Sequence, residues 1–95
     1  MSLQTAHDIP LFVRSENASS ERRITPSWSI AHLKMKLESV TGIPPSSQKL
    51  TLRLPSQGDI AIEAPDEEST QVGTWRLQAY AEIYVRSRTV SESIL

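Results

Sequence analysis

A metal centre or a catalytic triad in this chain of 95 residues would have to be built on His7 and His32, the only histidines. His7 lies beside Asp8 near the start, and His32 falls close to the beginning of a helical pattern. Two such residues do not meet the spacing of a metal-ligand set. Serines are abundant, yet no Gly-x-Ser-x-Gly elbow is present, and a triad would need one histidine buried beside an acid. Both histidines are therefore read as solvated. The chain has no cysteine, which removes disulfides, thiolate metal sites and thiol nucleophiles and suits a reducing compartment. The run Asp66-Glu67-Glu68 is read as a solvated loop. The expectation is a protein that is not an enzyme and carries no cofactor and no metal.

Bulk properties narrow the partners further. Ten Lys and Arg residues against eleven Asp and Glu exert no general attraction on nucleic acid or anionic lipid. The apolar runs are only a few residues long, so neither a membrane span nor a secretory signal is expected. A cytoplasmic location is the default. The length allows one domain, given the usual ~100–200 residues, and a hydrophobic fraction of 38% implies a lean core with polar ends.

Elements able to position an interaction surface follow from periodicity. Residues 1–8 read as a flexible extension. Over residues 9–15, Ile9, Leu11 and Val13 share one face of a strand, while Pro10, Phe12 and Arg14 share the other. Pro10 cannot donate to a ladder and belongs at the strand's start or on an unpaired side. A hairpin tip over residues 16–20 leads to a second strand over residues 21–25, in which Ile24 is the clear core residue and Arg22 lies along the core edge. Then Ile30, Leu33, Leu37 and Val40 recur at helical spacing. Ser29 is placed to cap that helix, Trp28 to close on Leu33 as a staple, and Gly42 to take the left-handed end, with Pro44 and Pro45 preventing continuation. Lys34, Lys36 and Glu38 are expected on the outside. Residues 48–54 alternate again, with Leu50, Leu52 and Leu54 inward and Lys49, Thr51 and Arg53 outward. A turn over residues 55–58, a short strand over residues 59–62, a bend at Val72-Gly73-Thr74-Trp75 and a last strand over residues 81–86 complete the series. Trp28 and Trp75 are expected to be structural. The order is α+β, helix and sheet in two layers around one core.

The run from Ile24 through Pro26-Ser27-Trp28-Ser29-Ile30, the helix with Lys34, Lys36 and Leu37, and Gly42-Ile43-Pro44-Pro45, Gln48 and Leu50 can be laid on ubiquitin without a gap. Leu11-Phe12-Val13-Arg14 resembles ubiquitin's first strand. The resemblance is close over residues 9–54 and implies a ubiquitin-like β-grasp, a mixed sheet of four to five strands on one main helix, over residues 9–88. Residues 89–95 would be a flexible tail or linker. Ser20-Glu21-Arg22-Arg23, the Lys-x-Lys-Leu-Glu helix from Lys34 to Glu38, the Leu50 to Leu52 strand and the Val72-Gly73-Thr74-Trp75 bend before Glu82-Ile83-Tyr84-Val85 together resemble the N-terminal domain of tubulin-folding cofactor B.

If the β-grasp pairing holds, Phe12, Lys49, Thr51, Tyr84 and Arg86 project from the outward face of the sheet. An aromatic and cationic patch of this kind suits a protein interface. Ubiquitin's own patch has apolar residues where this chain has Thr51 and Arg86, so its usual receptors are expected to be poor partners. Arg86-Ser87-Arg88-Thr89 runs on to Ile94-Leu95 without a Gly-Gly, so conjugation is not expected. The resemblance implies a non-catalytic, monomeric interaction domain, a fragment lacking the family's CAP-Gly module. In the full-length cofactor it would assist α-tubulin folding and heterodimer handling with tubulin-folding cofactor E, and so microtubule assembly, in the cytoplasm and on microtubules. The alternative is a ubiquitin-like adaptor domain of a ubiquitin-pathway or scaffold protein.

Overall fold

The structure, a computed structural model, describes residues 8–55 and 57–88. The expectations for His7, the N-terminal extension and the C-terminal tail lie outside the described residues. The elements are β1 (Ile9–Arg14), β2 (Ser19–Ile24), α1 (Ile30–Thr41), β3 (Gln48–Leu54), β4 (Gly58–Ile62) and β5 (Glu82–Ser87), with single 3-10 turns at Pro45–Ser47 and Val72–Trp75. The strands form one sheet in the order β2-β1-β5-β3-β4. β1 and β5 run parallel in its middle and every other pair is antiparallel. This is the α+β, ubiquitin-like β-grasp, a mixed five-stranded sheet with one helix.

Alternation in the strands sorts side chains as the sequence implies. Val13, Ile83, Leu52 and Ile60 form one row across the inner face, and Val85, Leu50 and Ile62 form the next. Ile30, Leu33 and Leu37 of α1 are buried in the same core, with Leu11, Ile24 and Val72. Each such aliphatic side chain contributes about 1.5–3 kcal/mol on burial, most of it offset by chain entropy.

β2 starts earlier than expected. Ser19 and Ser20 are not in the hairpin tip but pair with Arg14 and Val13, and the loop is closed by Ser15 N–H on the Ala18 carbonyl at 2.8 Å. Ladder pairing requires only backbone groups, so two serines extend the strand without any apolar signal. Pro10 behaves as anticipated. The Phe12 N–H bonds to Ala81 O at 2.9 Å, so by alternation the Pro10 nitrogen faces the same side, below the start of β5 at Glu82.

The helix ends are built locally. The Ser29 hydroxyl accepts the His32 N–H at 3.0 Å. Gly42, at φ 77°, donates its N–H to Glu38 O at 2.8 Å, the left-handed stop that glycine adopts without a Cβ penalty. The Ile30 and Ala31 amides are satisfied from afar, by Thr70 O and Glu67 O, each at 3.0 Å. The acidic run is thus not simply a solvated loop, because its backbone finishes the capping of α1.

Two side chains on α1 depart from the sequence expectation. Lys34, expected outside, is only 6% exposed, and its Nζ bonds Glu67 Oε2 at 2.9 Å. His32 is half-buried, with its ring 4.9 Å from that of Trp28. Gln48 is fully enclosed, and its Nε2 donates to Lys34 O at 2.8 Å and Ile43 O at 2.9 Å. The amide therefore ties the start of β3 to the helix and to the segment after it. Trp28 and Trp75 pack on the core edge, partly buried, and the Trp28 ring faces His32 and Lys36.

Candidate protein-interaction face

One face of the sheet carries α1, and the opposite face presents side chains outward in transverse rows. The first row is Glu21, Phe12, Glu82, Arg53 and Asp59. The second is Ser19, Arg14, Tyr84, Thr51 and Ala61, and Arg86 with Lys49 begin a third. All five candidates, Phe12, Lys49, Thr51, Tyr84 and Arg86, therefore lie on the same face. Lys49, Thr51, Tyr84 and Arg86 form one cluster across β3 and β5. Phe12 stands apart, two rows from Lys49 and Arg86, with its ring 6.0 Å from that of Tyr80.

Tyr84 is the centre of the cluster. The Arg53 guanidinium lies 4.7 Å from its ring centroid and that of Arg86 5.7 Å, both within cation–π reach. Arg53 is also engaged electrostatically, 3.4 Å from Glu82 and 3.6 Å from Asp59, and Glu82 reaches Arg14 at 3.9 Å. These ion pairs are largely exposed, so each is worth at most about 1 kcal/mol. Their effect is to fix the Arg53 plane beside the ring. Arg86 and Lys49 face each other directly across β3 and β5, and among the described residues neither has an acidic partner. Like charges opposite one another cost stability. An open groove of about 500 Å³ runs past this end, between Tyr84 and Arg86 on one side and Glu16, Asn17, Thr41 and Ile43 on the other.

Arg53, Glu82 and Tyr80 belong to the face and were not among the candidates. Arg53 was legible, since the alternation that places Lys49 and Thr51 outward places it there too. Tyr80 was not, because it is brought to Phe12 by a turn in which its own φ is 68°, an uncommon value for a bulky residue. Among the described residues, no group of three or more histidines and acids is arranged to hold a metal ion, and no helix is long and apolar enough to cross a membrane.

The family of ubiquitin-like domains matches residues 8–91. Over 81 residues the chain is 36% identical to the cell polarity protein alp11 of Schizosaccharomyces pombe, covering 83% of this chain and 34% of that protein. The chain thus spans about a third of that relative's length. The fold is shared with the C-terminal ubiquitin-like domain of mouse tubulin-specific chaperone e (TM-score 0.76, 14% identity, 97% of this chain and 98% of that one). It is shared also with the N-terminal ubiquitin-like domain of tubulin-binding cofactor B from Drosophila melanogaster (TM-score 0.69, 20% identity, 90% of each chain). With its five-stranded β-grasp sheet, its single capped helix and a family match across most of its length, this chain belongs to the ubiquitin-like domain family.

Proposed function

We propose that this domain is a non-catalytic protein-interaction module of a tubulin-folding cofactor, acting in the cytoplasm and on microtubules. In the full-length protein it serves α-tubulin folding and heterodimer handling together with cofactor E. The observation that carries the reading is the 36% identity with alp11 over 81 residues, in a fold shared with the ubiquitin-like domains of tubulin-binding cofactor B and tubulin-specific chaperone e. Cell polarity is a property that a microtubule-assembly cofactor would serve. The geometry supports an interaction role in particular: Tyr84 lies between the Arg53 and Arg86 guanidiniums, Lys49 faces Arg86 across the ladder, and among the described residues neither Lys49 nor Arg86 has an acidic partner, which makes an aromatic and cationic surface on the sheet face opposite α1. Thr51 and Arg86 at the middle of that surface weigh against a role as a ubiquitin-type adaptor.

The test is capture of α-tubulin or cofactor E by the full-length protein and by its Phe12→Ala and Arg86→Glu variants. Loss of roughly thirtyfold in affinity for Arg86→Glu, the size of an interface hot spot, is the expected result. Capture unchanged by both substitutions would remove the outer face from the proposal.

A further inference from the structure

The run Arg22-Arg23-Ile24-Thr25-Pro26 spans the end of β2, at the edge of the sheet. β2 pairs only with β1, so one side of its extended backbone is not engaged by another strand of the sheet. Arg22 and Arg23 are exposed, and among the described residues neither is in an ion pair. Ile24 is buried, so by alternation Arg23 and Thr25 flank it on the other side of the strand. The Thr25 side chain is partly exposed, and its hydroxyl donates to Asp8 Oδ1 at 2.8 Å in a contact open to solvent. That bond ties the residue before β1 to the residue after β2. Pro26 follows, without an N–H. Among the described residues, Thr25 is the one serine or threonine with arginine at both the second and third positions before it, and it is also the one with proline directly after it.

We propose that Thr25 is a phosphorylation site, used by a serine/threonine kinase that reads the upstream arginines and accepts proline directly after the acceptor. Protein kinases hold the acceptor segment extended in a cleft, and an acidic subsite there matches the guanidiniums of Arg22 and Arg23. Pro26 excludes kinases that need an N–H at that position, and it biases Thr25 to the extended conformation that the cleft requires. In the transfer, Thr25 Oγ1 attacks the γ-phosphorus of magnesium-bound ATP. The Oγ1–P bond forms as the bond from that phosphorus to ADP breaks, ADP leaves, and the hydroxyl proton passes to the kinase's base. The product is an anion where a donor stood. It repels the Asp8 carboxylate, so the tie between the ends of β1 and β2 opens, while Arg22 and Arg23 supply charge-assisted partners for the phosphate.

The complete 95-residue chain is incubated with magnesium ATP and each of two purified kinases, one cyclin-dependent and proline-directed, the other cyclic-AMP-dependent and arginine-directed, and the acceptor is located by tandem mass spectrometry. Incorporation at Thr25 is expected from at least one of them. The double variant Arg22→Ala with Arg23→Ala alters two exposed side chains and is expected to lose at least about tenfold in kcat/KM. Asp8→Ala, which lacks the tie, should be phosphorylated at least as fast as the unaltered chain. In the product, amide shifts should move at Asp8, Ile9 and residues 22–28 and stay native in β3 and β5. No incorporation at Thr25 from either kinase, transfer chiefly to another hydroxyl, an unchanged rate in the double variant, or modification of a synthetic peptide of residues 19–30 but not of the folded chain would each overturn the inference.

Discussion

Gln48 shows how much one side chain can organise. It is fully buried, yet only its nitrogen is hydrogen-bonded, to Lys34 O and Ile43 O, and its Oε1 has no partner among the described residues. Leucine would relieve the unpaired oxygen but leave the Ile43 carbonyl without its donor, so Gln48→Leu is expected to cost about 1–3 kcal/mol. Glutamate removes both donors and adds a buried charge, and should be worse; urea denaturation of the two variants gives the order. A more stable Gln48→Leu protein would mean that the amide is not a tie between β3 and α1. Lys34 poses a similar question. Its ammonium is nearly enclosed and meets Glu67, which is 36% exposed. Removing the acid strands a buried cation, whereas removing the cation leaves a carboxylate that water can reach. Glu67→Ala should therefore destabilise the domain more than Lys34→Met, and the reverse order in parallel melts would contradict this picture. Lys34 was not legible as a buried residue, because helical spacing alone does not say which loop will cover a given face, whereas Gln48 shares the inward parity of Leu50, Leu52 and Leu54 on β3.

At the scale of elements, α1 is bounded by residues whose roles are visible in the sequence, Ser29 and Gly42, and completed by a segment whose role is not. Asp66 organises that segment. Its carboxylate accepts the Ser69 hydroxyl at 2.6 Å and the amides of Glu68 and Ser69 at 3.2 and 3.3 Å. The Ser69 hydroxyl, foremost, holds the Asp66 pKa below its ordinary value, with a smaller opposing effect of desolvation and further help from the two amides. A depressed folded-state pKa means that the associated stability is present above the unfolded value and is lost as pH falls through the folded one. Ser69→Ala should move the Asp66 titration upward toward the ordinary aspartate value, so that the loss becomes smaller and is complete at a higher pH. Following the side-chain carboxyl carbon by NMR would show it, and an unmoved midpoint would deny Ser69 the role.

For the whole molecule, the long connection from β4 to β5 is what locks helix, sheet and bend together. Val72 N–H bonds Trp28 O, and Gly73 N–H bonds Pro26 O, both at 2.9 Å. A Cβ on Gly73 would lie 3.1 Å from both Cβ and O of Pro26, closer than packed atoms tolerate without movement. Gly73→Ala is expected to cost about 1–3 kcal/mol, the range for overpacking, seen as a melting temperature lower by several degrees; an unchanged melt would show that the bend can give way. The alternating strands, the span of α1 and its two caps were determined by the sequence alone, since each depends on the geometry of neighbouring residues along the chain. The same alternation assigned Phe12, Lys49, Thr51, Tyr84 and Arg86 to one face. Only the tertiary structure decided that Phe12 belongs with Tyr80 rather than with the Tyr84 cluster, that Lys34 is buried, and that an acidic loop caps the helix. Those outcomes depend on which distant segments meet, through strand order and register, and no local pattern encodes such a meeting.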